Sequence, residues 1–490
     1  MYDVASQSPL QEAPKLSERV GVKFFLKRED LQPIFSFKLR GAYNKIANLS
    51  SEERSQGIIA ASAGNHAQGV AFSAKELGLR AVIVMPVTTP QIKVKAVENL
   101  GAEVVLFGDT YDDAALHCEK IIQRDGLVYV HPFDDPLVIA GQGTIGIEIL
   151  KQSQESLGAI FVPVGGGGLI AGISAYIKSQ NPNIKIIGVE PFEADAMFQS
   201  LKDGNRVHLD RVGLFVDGVA VHEVGEKTFK IAKETVDEIV RVNNDEICAA
   251  IKDVFDDTRT IMEPAGSLSV AGAKAWLNQH PEQNKPVAAI LSGANMNFDR
   301  LRFVAERAEL GEEREALLAV TIPERPGAFH EFCATIGKRV VTEFNYRLSG
   351  RQEAHIFVGV ATTSRADAKT LISRLTKQGY ATAELSENEM AKIHVRHMVG
   401  GRASGVTNER LCRFEFPERP GALMEFLESL GGRWNISLFH YRNHGADFGR
   451  VLTGFEVTDD EAGAFKTFLD KLGYPYVEET SNTAYDFFLR

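Results

Sequence analysis

The sequence predicts an α/β protein in two parts: an N-terminal region of helix-covered parallel sheets in two lobes, and two small α+β modules towards the C-terminus. Short apolar runs alternate with helical stretches from about Val22 to Ser292, a pattern typical of parallel sheets with helices on both faces. Near Phe298 this alternation stops, and a hexapeptide then occurs twice. With 490 residues, the chain has room for roughly two to four domains.

The strands of the N-terminal region are expected where Val, Ile and Ala cluster in short runs. Such runs are typical of strands that are buried on both faces. Helical patterns separate them, for example at 65–78, where a glycine ends the pattern, and at 112–124. The predicted strands are 23–27, 57–61, 81–86, 103–107, 159–164, 185–190 and 287–291.

An approximate repeat occupies the last third of the chain. The hexapeptide that begins at Pro323 returns 94 residues later at Pro417, and the Gly-Tyr pair at Gly379 returns at Gly473 with the same spacing. After each hexapeptide, apolar residues recur at i, i+3, i+4 and i+7, which predicts an amphipathic helix. With the alternating runs that follow, each copy predicts a strand–helix–strand–strand–helix–strand module of the ferredoxin-like kind.

These patterns predict five consecutive segments. A highly charged helical stretch connects the N-terminal region to the repeats, and a linker separates the two modules. The segments are the N-terminal region 1–298, a connector helix 299–315, a first module 316–390, a linker 391–410 and a second module 411–490.

Composition narrows the range of partners and compartments. A net charge of −11 argues against nucleic acid or an anionic membrane as the main partner. The cysteines Cys118, Cys248, Cys333 and Cys412 are scattered without metal-ligand spacing, which favours reduced thiols and a cytoplasmic location. The N-terminus lacks a signal-peptide layout, and no apolar run is long enough to span a bilayer.

Lys38 is the candidate reactive residue. Most lysines are solvated surface charges, so a single lysine is a weak signal. The neighbours Phe35 and Phe37 can exclude water from the ammonium group and lower its pKa, which frees an amine to react with an aldehyde.

The segment 62–66 follows a predicted strand and begins a helix. Free N–H groups at a helix start bind anions, so this segment is a candidate site for the carboxylate of an amino acid. Asn65 is expected to hydrogen-bond a ring hydroxyl of a cofactor. His66 is expected to hold position rather than react, because a lone histidine is usually structural.

Four consecutive glycines form a second candidate anion site. Gly165, Gly166, Gly167 and Gly168 follow a buried strand, and a helix begins at Leu169. Glycines let the backbone approach a phosphate closely, and the helix start supplies oriented donors. A nucleotide could use such a loop, but the Lys-Ser/Thr ending of a P-loop is missing.

Ser292 completes the set of candidate residues. It ends a predicted strand, where open α/β sheets place their ligand sites, and its hydroxyl can meet a pyridine nitrogen. The alternative is a serine that caps the next helix. The amine, the small polar donors and the glycine loop together suit an aldehyde cofactor with a phosphate and a ring, so we predict pyridoxal 5'-phosphate and an enzyme of amino-acid chemistry.

Five motifs carry a resemblance to a known family. They are KRED at 27–30, SFKLRGA at 36–42, SAGNHAQG at 62–69, VGGGGL at 164–169 and LSGAN at 291–295. In combination they resemble the fold-type II pyridoxal-phosphate enzymes, the tryptophan synthase β family, and within them the biosynthetic threonine dehydratases. The resemblance covers nearly the whole chain. It implies deamination of L-threonine to 2-oxobutanoate and ammonia as the first step of isoleucine biosynthesis, with serine as a side substrate.

The resemblance also implies roles for individual residues. Lys38 would form the covalent link with the cofactor and move the α-proton, with Phe37 beside it. Ser292 would meet the ring nitrogen. The cofactor phosphate would lie on the loop Gly165, Gly166, Gly167, Gly168 and Leu169, the ring hydroxyl on Asn65, and the substrate carboxylate on Ser62, Gly64, Asn65 and His66.

Two departures from related enzymes narrow the chemistry. Racemase relatives carry a second hydroxyl where this chain has Ala63, so one-sided chemistry is expected. Those relatives also bind a divalent cation with acidic residues around 190–196. Here Glu190 is present, but one expected acid is replaced by Ala196, so no metal is expected.

The twin modules resemble the ACT-like regulatory domains of the biosynthetic enzymes. They imply feedback inhibition by isoleucine, countered by valine, and a homotetramer is the family expectation. Tyr346, Phe439 and Tyr441 are candidates for lining an effector site at a helix that follows a hexapeptide. The alternative is that the modules only mediate assembly.

Two further interpretations stay open from the sequence. One is another fold-type II elimination or replacement enzyme, such as a threonine synthase or cysteine synthase. The other is an amino-acid sensor built on an inactive scaffold, which intact Lys38, Asn65 and Ser292 argue against.

Overall fold

The structure is a computed structural model of the chain. It describes residues 1–213, 215–325, 327–347, 352–393, 395–398, 403, 406, 408–417, 422–430, 433–442, 448–482, 485 and 489. Within the two hexapeptides, Pro326 and 418–421 therefore lie outside the described residues. The chain divides into two compact units, Met1–Gly311 and Glu312–Arg490.

The first unit alternates strands and helices. Its elements are β1 Leu10–Glu12, α1 Pro14–Val20, β2 Phe24–Arg28, α2 Lys38–Ala47, α3 Ser51–Gln56, β3 Ile58–Ala61, α4 Asn65–Leu77, β4 Ala81–Met85, α5 Gln91–Glu98, β5 Glu103–Leu106, α6 Tyr111–Asp125, β6 Val128–Tyr129, α7 Pro136–Gln152, β7 Ala159–Pro163, α8 Gly168–Gln180, β8 Lys185–Pro191, α9 Ala196–Asp203, α10 Glu226–Thr235, β9 Glu238–Val242, α11 Asn244–Thr258, α12 Pro264–Gln279, β10 Val287–Leu291 and α13 Leu301–Gly311.

Two sheets organise this unit. One has the order β1-β2-β10-β7-β8-β9, and its strands are parallel except for the pair β1 and β2. The other has the order β5-β4-β3-β6 and is parallel throughout. The strands β3, β4, β7 and β10 are buried along their whole length, as expected for parallel strands covered by helices. The predicted α/β architecture is confirmed.

Local sequence signals explain several element ends. Helix α4 ends at Gly78, which adopts φ 67°, a conformation that glycine reaches without strain. Helix α6 begins at a capping box, in which Thr110 and Asp113 satisfy each other's backbone N–H groups. The capping box fixes the start of this helix at Tyr111, one residue before the predicted position.

A buried network of charges anchors the helix that carries Lys38. The Arg40 guanidinium donates to Glu29 at 2.7 and 2.8 Å and to Glu148 at 2.6 and 2.9 Å. Lys27 donates to Glu148 at 2.6 Å. Paired and fully hydrogen-bonded charges are the arrangement in which burial of ions is tolerated. The network ties α2 to the strand end at Arg28 and to helix α7.

The second unit contains both repeats. Its elements are β11 Glu315–Pro323, α14 Ala328–Ile336, β12 Val341–Arg347, β13 Glu353–Ala361, α15 Arg365–Lys377, β14 Ala381–Glu384, α16 Glu389–Ile393, β15 Glu409–Pro417, α17 Ala422–Leu430, β16 Asn435–Arg442, β17 Phe448–Glu456, α18 Ala462–Leu472 and β18 Tyr476–Glu478.

Each repeat folds as the predicted strand–helix–strand–strand–helix–strand module, and the modules share one antiparallel sheet. The strand order is β14-β11-β13-β12-β16-β17-β15-β18, so the modules join where β12 pairs with β16. One apolar core runs beneath both modules. The shared sheet brings the start of α14 close to residues of the second module.

The connector differs from its predicted extent of 299–315. Helix α13 ends at Gly311, and Glu315 already begins strand β11. Between them, Glu313 adopts φ 57°, which a right-handed helix cannot accommodate. All four cysteines are buried. In the described part of the chain, no helix has the length and apolarity needed to cross a membrane.

Candidate active site

Lys38 opens helix α2 and is half-buried. Its Nζ donates to the carbonyl oxygen of Pro132 at 2.8 Å and lies 5.4 Å from the centre of the Phe37 ring. Burial lowers the pKa of the Lys38 amine to about 8, although the charge of Glu263 acts in the opposite direction. With this pKa roughly a tenth of the amine is neutral at pH 7, far more than for a solvated lysine, and the neutral form is the reactive one. The Phe35 ring is 57% exposed, so of the two expected aromatic neighbours only Phe37 lies against the amine.

Ser292 is brought beside this lysine by a backbone contact. The N–H of Phe37 donates to the Ser292 carbonyl at 3.1 Å, and the N–H of Ala294 donates to the Phe35 carbonyl at 2.9 Å. The Ser292 hydroxyl is buried and donates to the Ala265 carbonyl at 3.1 Å. A hydroxyl rotates about its C–O bond, so Ser292 can turn its one hydrogen from Ala265 to a ring nitrogen.

Asn65 is held at both ends of its side-chain amide. Its Oδ1 accepts from Asn295 Nδ2 at 2.6 Å, and its Nδ2 donates to Glu263 Oε1 at 2.7 Å. An amide nitrogen carries two hydrogens. One Nδ2 hydrogen is thus left for a further acceptor such as a cofactor hydroxyl.

At the start of α4, the backbone of Gly64 has open space beside it, and the side chain of His66 is buried. The Gly64 N–H donates to Ser62 Oγ at 3.2 Å, and no described atom lies within 4 Å of a Cβ built on Gly64. The His66 ring, in contrast, is buried, with Nε2 2.7 Å from the Val130 carbonyl oxygen. Burial, followed by the charge of Lys38, lowers the pKa of His66 to about 3. His66 can therefore offer a ligand its backbone N–H, while its neutral ring anchors the helix.

The four glycines form a tightly enclosed loop at the start of α8. Gly167 adopts φ 92° and ψ −2° as the N-cap residue. A Cβ on Gly166 would lie 2.4 Å from the Phe133 ring, and one on Gly168 would lie 3.0 Å from Phe133 Cα. The first backbone bond of the helix joins the N–H of Ala171 to the Gly167 carbonyl, so the N–H groups of Gly168 and Leu169 have no acceptor within the helix.

Pro132 and Phe133 connect the lysine to this loop. The carbonyl of Pro132 accepts from Lys38, and the next residue covers Gly166 and Gly168. Through these two residues the Lys38 amine and the N–H groups of Gly168 and Leu169 belong to one region of the fold. Asn65 is linked to this region through Glu263. Ser292 is linked to it through the backbone of Phe37. This arrangement can bind a phosphate at one end and an aldehyde at the other.

Sequence reasoning missed three residues of this region. Glu263 and Phe133 approach the predicted site residues from distant parts of the chain. Asn295 belongs to the LSGAN motif, but its contact with Asn65 is not predicted by that motif. A signal for Glu263 existed, because it is a charged residue in an apolar stretch immediately before Pro264 at a helix start.

The two acidic oxygens of Glu190 are already engaged. They accept from the backbone N–H groups of Met197 at 2.9 Å and Phe198 at 2.8 Å. Burial raises the pKa of this carboxyl group to about 8. Glu190 thus caps the start of α9.

The second unit has a pocket where its two modules meet. The described residues that line the pocket include Pro323, Glu324, Arg325, Gly327, Ala328, Phe329 and Tyr346, together with Trp434 and Asn435 of the second module. The Tyr346 hydroxyl donates to Glu324 Oε2 at 2.7 Å. Phe439 is fully buried, and Tyr441 is 3% exposed. Both belong to the apolar core, and neither lines this pocket.

Known protein families match both units. The profile of the family described as "Pyridoxal-phosphate dependent enzyme" matches residues 2–293, so the chain belongs to the pyridoxal-phosphate-dependent enzymes and uses that cofactor. The profile "C-terminal regulatory domain of Threonine dehydratase" matches twice, at 306–395 and 400–489.

Individual relatives define the family more closely. The chain is 56% identical over 492 residues to the L-threonine dehydratase biosynthetic IlvA of Burkholderia multivorans, covering 100% of this chain and 97% of that protein. It is 51% identical over 490 residues to the Escherichia coli protein of the same name, covering 100% and 95%. The processed form of threonine deaminase isoform 2 from Solanum lycopersicum superposes with a TM-score of 0.62 at 55% identity, covering 63% of this chain and 89% of that one. The chain is therefore a member of the biosynthetic threonine dehydratases.

The residues in place fit pyridoxal phosphate. The helix-start N–H groups beside Gly167 and Gly168 suit its phosphate, and the amine of Lys38 suits its aldehyde. The second hydrogen of Asn65 suits the ring hydroxyl, and the Ser292 hydroxyl suits the ring nitrogen. The atoms nearest to a Cβ built on each of the four glycines belong to Phe133, Met197, Val219 and Thr228, which are all uncharged residues.

Proposed function

We propose that this chain catalyses the deamination of L-threonine to 2-oxobutanoate and ammonia by elimination of water. The main support is the environment of Lys38: a half-buried amine with a pKa of about 8, held at Pro132 beside the glycine loop. The two bacterial relatives named above are threonine dehydratases by name, and their similarity extends over the whole of this chain.

Bound pyridoxal phosphate supplies an electron sink for the negative charge that develops at the substrate α-carbon. The other steps belong to residues of the chain. The substrate carboxylate binds at the start of α4, where Gly64 leaves open space. The Lys38 nitrogen accepts the α-proton from one face, and a lowered pKa suits it to this transfer near neutral pH.

Ala63 and Ser292 shape the outcome. Ala63 has no proton to exchange, which favours chemistry on one face of the α-carbon. Ser292 is a neutral partner for the ring nitrogen, so the ring is a weaker electron sink than with an aspartate. Elimination tolerates this because charge departs with the leaving group. Serine, which lacks one methyl group, is proposed as a side substrate, because one methyl discriminates by only about 1–3 kcal/mol.

The second unit is proposed to bind isoleucine as an inhibitor, with valine opposing it. The pocket between the modules presents apolar side chains, including Leu427 and Ile436, which suit a branched aliphatic side chain. Gly327 caps the N-terminus of α14 in the same pocket, where free N–H groups can meet a carboxylate. The proposal includes a cytoplasmic homotetramer, supported by the family resemblance.

The decisive test is Lys38→Ala, assayed for 2-oxobutanoate formation from threonine. We expect turnover to fall by at least about 1,000-fold, because both the covalent link and the proton acceptor are lost. Lys45→Ala is the matched control, since Lys45 lies on the same helix but pairs with Asp135 at 2.9 Å. Its activity should stay near that of the unmodified protein.

Threonine titrations with and without isoleucine complete this test. Isoleucine should raise the threonine concentration needed for half-maximal rate, and valine should reverse the change. Full activity in Lys38→Ala would contradict the site assignment. No product from the unmodified protein with added cofactor would favour an amino-acid sensor, and product from another β-substituted amino acid alone would favour a related elimination enzyme.

A further inference from the structure

Glu263 is a buried carboxylate that the proposed reaction does not use. It precedes helix α12 and is 7% exposed. Its Oε1 accepts from Asn65 Nδ2 at 2.7 Å. A Cβ on Gly293 would lie 2.4 Å from the same oxygen, so the loop that follows Ser292 leaves room for this carboxylate only because residue 293 is glycine.

The hydrogen bonds around Asn65 assign one donor and one acceptor role to its side-chain amide. Asn295 Nδ2 donates to the Ile34 carbonyl at 2.9 Å and to Asn65 Oδ1 at 2.6 Å. An ionised carboxylate only accepts hydrogen bonds. Glu263 therefore requires the nitrogen of Asn65, while Asn295 requires its oxygen. The amide has one orientation that satisfies both neighbours, and in that orientation a single N–H remains for another acceptor.

The charge of Glu263 also acts on the reactive amine. It raises the proton affinity of Lys38, against the effect of burial. Burial raises the pKa of Glu263 itself to about 7, Asp217 adds to this, and Lys93 and Arg300 oppose it. Above about pH 7 the carboxylate is therefore ionised and interacts with Lys38 as well as with Asn65.

We propose that Glu263 is a positioning residue for the cofactor: it locks the Asn65 amide so that one N–H faces the cofactor ring oxygen, and its negative charge stabilises the protonated nitrogen of Lys38. This inference rests on the proposed function, because it assumes that Asn65 and Lys38 meet the cofactor. It assigns Glu263 no direct contact with the substrate.

Two substitutions separate the hydrogen bond from the charge. Glu263→Gln keeps an acceptor for Asn65 but removes the charge. Glu263→Leu removes both. Glu238→Gln is the control, since Glu238 accepts from Trp276 Nε1 at 2.9 Å on strand β9. Each protein is stripped of cofactor and titrated with pyridoxal phosphate by fluorescence, and the absorbance of the bound cofactor is followed against pH.

The two variants should respond differently. Glu263→Gln should bind pyridoxal phosphate within about threefold of the unmodified protein, with the pH midpoint of the absorbance change lowered by roughly 0.5–1 unit. Glu263→Leu should bind it at least about tenfold more weakly, because the Asn65 amide loses its lock. In an Asn65→Ala background the same Leu substitution should weaken binding by less than about threefold, since its effect on affinity passes through Asn65.

Defined outcomes overturn this inference. An unshifted pH midpoint in Glu263→Gln would contradict the proposed effect of the Glu263 charge on Lys38. Unchanged affinity for pyridoxal phosphate in Glu263→Leu would contradict the proposed positioning of Asn65. Where Glu263→Leu fails to fold, judged by circular dichroism, the Gln variant decides. If the unmodified protein takes up no pyridoxal phosphate, or Lys38→Ala still binds it covalently, the proposed function fails instead.

Discussion

Two helices, one in each unit, begin with the same backbone conformation. Gly167 precedes α8 with φ 92° and ψ −2°, and Gly327 precedes α14 with φ 87° and ψ −13°. A Cβ on Gly167 would lie 2.8 Å from Met197 and 2.9 Å from Thr228, whereas no described atom lies within 4 Å of one on Gly327. Both helix starts expose backbone N–H groups in the same way, but the surroundings of Gly167 are enclosed and those of Gly327 are open.

The difference matches the two kinds of ligand that we propose for these helix starts. A cofactor that stays bound through many turnovers is served by a rigid loop, whose shape is set before binding. The loop at Gly166 is held further by Thr228 Oγ1, which donates to its carbonyl at 2.6 Å. The proposed effector must bind and dissociate, so it needs access from solvent. The Gly327 loop, with the exposed ion pair of Arg325 and Glu331 beside it, offers that access.

The largest expected effect comes from filling the enclosed loop. In Gly166→Ala the new methyl group would lie 2.4 Å from the Phe133 ring. Overpacking of this kind costs about 1–3 kcal/mol and shifts the backbone. We expect the affinity for pyridoxal phosphate, measured by fluorescence titration, to fall by roughly 10–100-fold.

The control for this change is Gly146→Ala within helix α7. Its methyl group would meet Ile173 and Ile177 at an ordinary 3.4 Å, and alanine favours a helix interior. Cofactor affinity should be unchanged there. Equal affinities in the Gly166 and Gly146 variants would show that the enclosed loop is not the phosphate site.

The sequence predicted the enclosed loop because its signals are local. Four glycines between a buried strand and a helix form a contiguous pattern, and the carboxyl ends of parallel strands meet at one edge of a sheet. Lys38, Asn65 and Ser292 could be proposed for the same reason. The contacts of Phe133 and Glu263 could not be predicted in this way, since they depend on how separate elements pack. The sequence around Glu263 marks it as unusual but does not show that it contacts Asn65.

The surroundings of the helix start at Gly327 were predicted less completely. The spacing of 94 residues predicted two modules, and the structure confirms their shared fold. It did not predict that β12 pairs with β16, which carries Trp434 and Asn435 to the helix start of the other module. Tyr346 and Phe439 pair directly across the β12–β16 junction, so they lie on the same face of the sheet, as does Tyr441. All three belong to the apolar core, and of the three Tyr346 lines the pocket.

An intermediate effect is expected from the polar residues Tyr346 and Glu324, which line the pocket between the two modules. In Tyr346→Phe, Glu324 loses a donor at 2.7 Å and keeps the Asn435 Nδ2 donor at 3.3 Å. Its less restrained carboxylate can then turn towards the carboxylate of the proposed effector. One hydrogen bond contributes about 1 kcal/mol. The isoleucine concentration for half-inhibition of threonine turnover should rise by roughly fivefold, with the uninhibited rate unchanged.

Tyr485→Phe is the matched control for that change. Tyr485 also donates to a glutamate, Glu409, at 2.7 Å, but it does not line the pocket. Its isoleucine response should equal that of the unmodified protein. An equal loss of response in both variants would mean that the modules sense isoleucine through their general stability.

The smallest effect is expected at the open glycine itself. Gly327→Ala places a methyl group where no described atom is near, so the cost is the left-handed φ of 87°, about 1–2 kcal/mol for a non-glycine residue. Gly379→Ala is a close match in the same unit, with φ 90° and equally open surroundings, but Gly379 lies outside the pocket lining. Both variants should lower the melting temperature by a few degrees, measured by calorimetry. Only Gly327→Ala should also change the isoleucine concentration for half-inhibition, by up to about threefold, because its methyl group enters the effector's approach to the N–H groups of α14. If the two variants respond equally to isoleucine, backbone strain alone explains the change in half-inhibition. The two helix starts at Gly167 and Gly327 would then share a backbone conformation but not a ligand-binding role.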